Sequence, residues 1–520
     1  MILITSAKYS SSDFTLEFGK IPPSFLPLGN KRLYEYQVDL FKNFNQKIFL
    51  SLPKDFRLSK FDERKLQELN IEILFVPNNL SLGESVVYCL NVCCIFDEKL
   101  YILHGDTFFK ELNFEENSLQ VAKVKENYDW AYLDDEFNTQ SKTIEKDLIL
   151  AGAYSFSHPQ FLIKCIVENN YSFTDGMKSY SKTYAFNILK NDTWLDFGLI
   201  TSYFHSKKAV STQRNFNNID ISNGYIKKSS SWQEKIKAEI NWFDNLPKEL
   251  FIYTPKVITY QDSYAIEYLC NNTLAELYVF GKLPSYVWKR IFKSLKEFLD
   301  KLHSFSSNGQ GYINFNCKEK TLKRLQEFSR QSGIDLHETI VINSKSYSSI
   351  LTLVEKLDFY INDTNEFMLI HGDFCFSNIM YDFRAGAIKT FDPRGFDFSG
   401  KIIPYGDKNY DFAKLIHSVF GLYDFVIAGF FECKFDSNKI EFFIEEDDNI
   451  LDIQKEFLNI FDMDDNTKAL TLHLFLSMLP LHHDFKERQM AFLANAFILY
   501  DKFFKKKEGV NDCNLSYGRT

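Results

Sequence analysis

The sequence predicts two domains: an α/β unit built on a mostly parallel sheet with helices on both faces, then an α+β unit with two lobes. Its 520 residues exceed what one hydrophobic core usually spans. Apolar runs alternate with helix-like segments in the N-terminal third, which favours a parallel sheet. The C-terminal half carries a loop and hairpin rich in oxygen-bearing side chains. We predict domains at residues 1–205 and 206–505, separated by the polar run 205–214, and a frayed tail at 506–520.

The N-terminal strands are predicted from short apolar runs. The first is Met1 to Thr5, and three more follow at residues 47–52, 71–76 and 100–104. Asp106 comes directly after the last of these runs. Ligands of open α/β sheets bind at the carboxyl ends of strands, so Asp106 is a candidate ligand-binding residue.

Residues 1–205 resemble the sugar-phosphate nucleotidyltransferases of the glycosyltransferase-A type. The resemblance is carried by Leu-His-Gly-Asp ending at Asp106, by Trp-Leu-Asp-Phe-Gly around Asp196, and by 151–156 as the strand beside the sugar site. It implies that Asp106 and Asp196 together bind one divalent cation. Such a cation would hold the phosphates of a nucleotide.

The same segment departs from this family at the first loop. Residues 6–12 contain no glycine where the family has a glycine-rich phosphate-binding loop, and the family's lysine before the Leu-Leu-Pro turn is absent. Lys8, Lys20 or Lys31 would have to supply the missing charge. The simpler hypothesis is a domain that kept the fold and the metal carboxylates while its reaction changed or was lost.

The most informative segment of the second domain runs from His371 to Asp392. Gly372 lets the backbone turn after an apolar strand end, so that Asp373 projects from a loop as a candidate catalytic base. Asn378 ends this loop, and a predicted hairpin then brings Asp392 back toward it. Two oxygen ligands for one Mg²⁺ beside a carboxylate base are what ATP-dependent phosphoryl transfer requires. The alternative interpretation is that these side chains merely cap turns.

A kinase also needs a lysine for the nucleotide phosphates and a helix glutamate that holds this lysine. Lys228 lies in a strand-like run, and Glu239 lies on the predicted helix 232–243, although strand register leaves Lys227 as an alternative. Glu267 belongs to the predicted strand and hinge 264–269, where an adenine edge would meet backbone groups. No GxGxxG loop precedes the lysine, so residues 214–218 would form the phosphate-covering turn.

Residues 206–505 resemble the aminoglycoside phosphotransferase and choline kinase superfamily, which phosphorylates hydroxyls of small molecules. The match rests on the HGDxxxxN motif, which implies that Asp373 is the catalytic base and that Asn378 and Asp392 bind magnesium. Arg394 and Asp411 lie in segments that also resemble the family, and Asp411 is expected to be a structural cap. Large-lobe helices are predicted at 283–302, 322–330, 346–361, 408–420 and within 469–504.

Composition limits the possible partners. The net charge of −9 comes from interspersed acidic and basic residues, which argues against nucleic-acid binding and against a basic membrane patch. No apolar run is long enough to span a bilayer and no signal peptide is visible, so we expect a cytoplasmic protein. Nine cysteines without a CxxC pair indicate neither a zinc site nor a disulfide framework. The oligomeric state is open.

The sequence therefore predicts a small-molecule kinase with ATP and Mg²⁺ as cofactors, acting on a sugar, polyol or amino alcohol. Two domains of these types together suggest capsule or other surface polysaccharide biosynthesis. Three alternatives stay open: a bifunctional kinase and nucleotidyltransferase, a nucleotidyltransferase with a degenerate kinase domain, and a noncatalytic scaffold that binds a sugar nucleotide.

Overall fold

The computed structural model describes residues 1–94, 96, 98–123, 130–140, 147–210, 217–222, 224–230, 232–307, 315–362, 366–397 and 400–505. The chain divides into two compact units. The first comprises Met1–Thr212 with Phe280–Lys282, and the second comprises Gln213–Val279 with Leu283–Thr520. A helix over Ile200–Ala209 runs through the predicted boundary at residue 205. Residues 211–214 of the predicted linker and the predicted tail 506–520 lie outside the described residues.

The strands of the first unit belong to one large sheet and two short pairs. In chain order they are β1 (Ile2–Thr5), β2 (Pro27–Leu28), β3 (Lys31–Arg32), β4 (Ile48–Pro53), β5 (Ile71–Val76), β6 (Leu100–His104), β7 (Thr107–Phe109), β8 (Ser118–Lys123), β9 (Leu148–Phe156), β10 (Asn187–Lys190) and β11 (Trp194–Asp196).

The large sheet of the first unit has the order β10-β8-β9-β6-β1-β4-β5. Its neighbours pair in parallel except that β9 runs antiparallel to both β6 and β8. Leu3 in β1, Leu50 in β4 and Ile102 in β6 are fully buried, as expected for strands covered on both faces. The predicted mostly parallel sheet of the first unit is confirmed.

The helices of the first unit connect these strands. They are α1 (Ser12–Phe18), α2 (Leu33–Asp39), α3 (Lys60–Glu68), α4 (Leu82–Cys93), α5 (Pro159–Glu168), α6 (Phe173–Ser181) and α7 (Ile200–Ala209). Helix α4 begins with a capping box, in which Ser81 accepts from the Glu84 N–H and the Glu84 carboxylate accepts from the Ser81 N–H. Arg32 and Asp62 form a buried ion pair at 3.1 Å.

The second unit begins with a four-stranded antiparallel sheet of order β12-β13-β15-β14. Its strands are β12 (Asn217–Ser222), β13 (Tyr225–Ser230), β14 (Val257–Thr259) and β15 (Tyr264–Glu267). Helix α8 (Gln233–Asp244) follows β13, as the sequence predicted. Residues 217 and 218 begin β12, so this end of the predicted phosphate-covering turn is a strand. Residues 214–216 lie outside the described residues.

The remainder of the second unit is mainly helical. Its helices are α9 (Leu274–Phe280), α10 (Ser285–Leu302), α11 (Cys317–Ser332), α12 (Ile350–Asp358), α13 (Asn409–Val419), α14 (Tyr423–Ile427), α15 (Asp448–Leu458), α16 (Asp465–Met478) and α17 (Lys486–Phe504). Its further strands are β16 (Thr339–Ile342), β17 (Lys345–Ser349), β18 (Met368–Leu369), β19 (Ile379–Asp382), β20 (Ala387–Thr390), β21 (Tyr405–Gly406), β22 (Glu432–Asp436) and β23 (Lys439–Phe443). Within the described ranges, every helix is too short or too polar to cross a bilayer.

One predicted helix is wrong in its first part. The helix predicted over 346–361 begins only at Ile350, because the preceding residues form β17. Asn343 and Ser344 both have positive φ, at 49° and 65°, and join β16 to β17. Two such residues in succession form the tight turn that suits a two-residue hairpin. The predicted helical stretch 469–504 also divides, with a short 3₁₀ segment, Leu479–His482, between α16 and α17.

Candidate functional site

The loop that carries Asp373 follows β18, and hydrogen bonds to Asp411 fix its backbone. The buried Asp411 carboxylate accepts the backbone N–H groups of His371 at 3.0 Å and Gly372 at 2.7 Å. Gly372 has φ +74°, and a Cβ at this position would lie 2.8 Å from Cβ of Arg394. Only glycine therefore fits this turn. The Asp373 side chain, pinned at its base, keeps 40% of its surface exposed.

The two oxygens of Asp373 contact different partners. Lys414, on α13, lies 2.7 Å from Oδ1, whereas Asn378 Nδ2 donates to Oδ2 at 3.0 Å. The surrounding protein disfavours the charged form, but the Lys414 ammonium outweighs this effect and holds the pKa of Asp373 well below its usual range. The carboxylate is ionised at neutral pH, as a group that accepts a hydroxyl proton must be.

His371 joins the Asp373 loop to the strand that leads to Asp392. Its Nδ1 accepts the Asp373 N–H at 3.3 Å, and its Nε2 lies 3.1 Å from the Phe391 carbonyl and 2.7 Å from the Thr390 hydroxyl. Burial lowers the pKa of His371, so that the ring is neutral and Nε2–H can donate to this carbonyl. The imidazole thus holds the two loops in fixed relation.

Asp392 lies two residues after the end of β20, the second strand of the hairpin that the sequence predicted. It has φ +56°, a left-handed conformation that is uncommon for a residue other than glycine and is concentrated at functional sites. Lys228 Nζ lies 2.8 Å from Asp392 Oδ1 and 3.0 Å from Glu239 Oε1. Burial opposes the charge of Lys228, yet the two carboxylates outweigh it and raise the pKa of this lysine.

The two lysines of β13 face opposite sides of the strand. Lys228 is buried against Glu239, which is itself fully buried and also accepts the Tyr264 hydroxyl at 2.8 Å. Lys227 is exposed, with Nζ 5.8 Å from the Tyr260 ring. Of the two lysines that the sequence left open, the structure places Lys228 in the ion pair.

Helix α8 is attached to the Asp373 loop through a second contact. The fully buried Trp242, three residues after Glu239, donates its indole N–H to the Ile370 carbonyl at 2.7 Å. Glu267, by contrast, is exposed at the end of β15, and its N–H donates to the Lys256 carbonyl at 2.9 Å. That N–H is therefore occupied within the sheet.

The residues around Asp373 offer the donor atoms that Mg²⁺ prefers. Because Asn378 donates from Nδ2 to Asp373, its amide oxygen points to the opposite side, and Asp392 contributes carboxylate oxygens. Hard oxygen donors of this kind match magnesium chemistry, in which phosphate oxygens and water complete the coordination. Within the described ranges, no group of three or more His, Cys, Asp and Glu side chains is arranged for a metal.

In the first unit, Asp106 and Asp196 come together beside Gly198. Strands β7 and β11 pair with Thr107 opposite Asp196, and the Phe197 N–H donates to the Asp106 carbonyl at 2.8 Å. A Cβ built on Gly198 would lie 3.1 Å from Asp106 Oδ2 and 3.3 Å from Asp196 Oδ1. The two carboxylates, distant in sequence, thus flank one point.

A cavity of about 330 Å³ in the first unit includes Asp106 and Gly198 in its wall. The loop after β1 forms another wall and contributes Lys8. Lys20 instead pairs with Asp55 at 3.4 Å, and Lys31 lies over the Tyr36 ring at 5.7 Å. Of the three lysines proposed to replace the missing phosphate loop, Lys8 is the one on the cavity wall.

No protein family matches the sequence, and no curated protein matches it. The N-terminal part, 40% of the chain, is similar to several solved structures. One is a nucleoside-diphosphate-sugar pyrophosphorylase from Vibrio cholerae RC9, with 16% identity, all of that chain covered and a TM-score of 0.34. Another is CTP:phosphocholine cytidylyltransferase from Streptococcus pneumoniae, with 13% identity, 98% of that chain covered and a TM-score of 0.32. A third, an inositol-1-phosphate CTP transferase from T. maritima, has 15% identity, 95% coverage and a TM-score of 0.31.

Two side chains of the second unit that contact the candidate base region were not predicted from the sequence. They are Lys414, which pairs with Asp373, and Thr390, which contacts His371. One available signal was helical spacing, since Lys414 lies three residues after Asp411 and thus on the same face of the helix. Thr390 ends the strand before Asp392, and no pattern marks it.

Proposed function

We propose that the second unit is an ATP- and Mg²⁺-dependent phosphotransferase that acts on a hydroxyl group of a small molecule. The observation that carries the proposal is the position of Lys228, which lies within 3.0 Å of both Glu239 and Asp392. A buried lysine held between a helix glutamate and a candidate metal aspartate is the arrangement by which kinases bind nucleotide phosphates. The HGD loop supplies the proposed base, Asp373, beside the proposed metal ligand Asn378.

Each side chain has a defined role in this proposal. Asn378 and Asp392 would hold Mg²⁺, which would offset the negative charge of the nucleotide phosphates. Lys228 binds phosphate oxygens, and Glu239 keeps it extended toward them. Asp373 orients the acceptor hydroxyl and accepts its proton as the acceptor oxygen bonds to the γ-phosphorus. The bond from this phosphorus to the bridging oxygen breaks, and ADP leaves with the electron pair.

A second candidate function concerns the first unit. Because Asp106 and Asp196 flank one point at a cavity, this unit could bind a nucleotide through a divalent cation. With both functions, the chain would phosphorylate an acceptor and attach a nucleotide to the product. Such consecutive reactions suit the activation of a sugar or polyol for surface polysaccharide, in the cytoplasm where ATP is supplied.

The test is magnesium-dependent nucleotide binding, measured by thermal shift with ATP, GTP, CTP and UTP. The proteins compared are the wild type, Asp392→Asn, Asp106→Asn and the control Asp436→Asn. The control removes an exposed carboxylate from the β22–β23 hairpin. A ligand at about 100 times its Kd stabilises the native state by roughly 2.7 kcal/mol, which a melting curve resolves.

The outcomes separate the two candidates. An ATP shift that is lost in Asp392→Asn and kept in the other variants supports the kinase and leads to a screen of acceptors by ADP release. A CTP or UTP shift lost only in Asp106→Asn, without any ATP response, would overturn the main proposal in favour of nucleotidyl transfer. Binding at both sites without turnover of any acceptor or release of pyrophosphate would indicate a scaffold.

A further inference from the structure

Three basic side chains gather beside the candidate catalytic aspartate. They are Lys320 on α11, Arg394 just after Asp392, and Lys414 on α13, and together we call them the basic cluster. Lys320 Nζ lies 3.3 Å from the Tyr410 hydroxyl, and Arg394 Nη1 lies 3.2 Å from the same oxygen. Lys414 lies 2.7 Å from Asp373 Oδ1. The cluster thus spans from Tyr410 to the proposed reaction centre.

The positive charge of the cluster exceeds the negative charge around it. Only Lys414 has a carboxylate partner, and within the described part of the chain neither Lys320 nor Arg394 forms an ion pair with an acidic side chain. Lys320 is just 9% exposed, and burial lowers its pKa. A buried cation without a counter-charge is costly, so this cluster is a candidate site for an anion that supplies the missing charge.

The cluster is also built rigidly. Tyr410 stacks face to face on Phe315, with ring centroids 3.6 Å apart and planes within 2°. The Arg394 guanidinium lies 5.5 Å from the Phe315 ring and 5.1 Å from the Phe396 ring, and it also donates to the Phe396 carbonyl. Aromatic faces hold a guanidinium in place without neutralising it. The positive charge of Arg394 is therefore available to an anionic ligand.

The position of the cluster separates it from the nucleotide side of the site. Asp373 faces Asn378 through Oδ2 and Lys414 through Oδ1, so the proposed metal ligand and the cluster lie at different oxygens of one carboxylate. On the metal side, Lys228 already provides a cation at Asp392. The cluster therefore lies on the acceptor side of Asp373.

We propose that the acceptor of this phosphotransferase is itself an anion, which carries a phosphate or carboxylate group besides the hydroxyl that is phosphorylated. This inference rests on the proposed kinase function and deepens it. The anionic group binds Lys320 and Arg394, and an arginine suits the planar, two-point recognition of either group. Binding of the anionic group by Lys320 and Arg394 fixes the orientation of the acceptor and so determines which hydroxyl reaches Asp373. The cluster thereby determines acceptor specificity.

The test compares small hydroxyl-bearing acceptors of different charge. The full-length protein is supplied with Mg-ATP and with glycerol, glycerate, sn-glycerol 3-phosphate or choline, and ADP release is followed. We expect kcat/KM to be at least tenfold higher for an anionic acceptor than for glycerol or choline. Glycerate against glycerol 3-phosphate distinguishes a carboxylate from a phosphate as the recognised group.

Lys320→Met is the decisive variant, and Lys323→Met, an exposed lysine on the same helix, is its matched control. Methionine fills similar space without a buried charge, so the variant should fold at least as well as the wild type. We expect Lys320→Met to raise KM for the anionic acceptor tenfold or more and to leave KM for Mg-ATP unchanged. Lys323→Met should change neither constant.

A binding measurement covers the case in which none of these acceptors is turned over. Inorganic phosphate, added in the presence of Mg-ADP, should raise the melting temperature of the wild type and of Lys323→Met but not that of Lys320→Met. Equal use of charged and uncharged acceptors, or phosphate binding that survives Lys320→Met, overturns the inference while the kinase proposal stands. Absence of any Mg-ATP binding instead removes the kinase proposal.

Discussion

Replacement of Gly372 by alanine tests whether the HGD loop is as tightly fitted as the contacts indicate. The added Cβ would lie 2.8 Å from Cβ of Arg394, closer than real Cβ contacts occur. A left-handed alanine costs about 1–2 kcal/mol, and overpacking a filled site typically adds about 1–3 kcal/mol. We therefore expect Gly372→Ala to lose about 2–5 kcal/mol of unfolding free energy.

Gly333→Ala is the matched control for this change. Gly333 has nearly the same conformation, with φ +78° against +74°, but nothing lies within 4 Å of the place where its Cβ would be. This control therefore carries the backbone strain without the clash, and it should lose about 1–2 kcal/mol. The difference between the two variants measures the Arg394 contact alone.

Urea unfolding followed by tryptophan fluorescence compares the two variants, since both glycines belong to the second unit and report on the same transition. Gly372→Ala should also raise KM for an anionic acceptor, because the displaced Arg394 belongs to the basic cluster. Equal stability losses, within about 0.5 kcal/mol, would show that Arg394 yields freely and would refute the rigid fit of the loop.

Three further predictions concern buried charges and protons. Lys228→Met should abolish phosphotransfer and cost roughly 3–5 kcal/mol, because it takes the nearer of two cations, at 3.0 Å, from the buried Glu239 carboxylate, whereas Lys227→Met at the exposed neighbour should do neither; activity and urea midpoints decide this. Asp62→Asn should cost a similar roughly 3–5 kcal/mol by removing the buried carboxylate that contacts Arg32. Glu72→Gln, in an exposed pair, should cost at most about 1 kcal/mol, and melting curves that failed to separate the two variants would contradict this. Burial lowers the pKa of His473 from 6.5 to about 4, so the unfolded chain binds a proton at a higher pH than the folded chain does. The free energy of unfolding should therefore fall below pH 6.5, by about 2 kcal/mol at pH 5. His473→Asn should remove this part of the pH dependence of unfolding, and an unchanged dependence on pH would contradict the prediction.

The hairpin before Asp392 could be predicted from the sequence because local signals agree there. A hairpin was expected between Asn378 and Asp392, and β19 and β20 form it as an antiparallel pair. Strand register was harder, since a shift of one residue exchanges the two faces of a strand. The choice between Lys227 and Lys228 depended on pairing with β15, which local sequence does not encode.

The features that escaped prediction depend on contacts between distant segments. The basic cluster joins Lys320, Arg394 and Lys414 from two helices and one loop, and no spacing in the sequence connects them. The meeting of Asp106 and Asp196 is different, because it was expected only through a family resemblance and depends on the pairing of β7 with β11. Side chains brought together by tertiary pairing need the fold before they can be recognised.

The bond from Trp242 to the Ile370 carbonyl limits how this protein could be regulated. Kinases that switch off by swinging the glutamate-bearing helix outward must break a single ion pair, but outward rotation of α8 would here also strip a buried indole of its acceptor. In this structure Glu239 is already engaged with Lys228. In the proposed kinase, an outward position of α8 would therefore cost two buried contacts, and phosphotransfer would not require an activating modification.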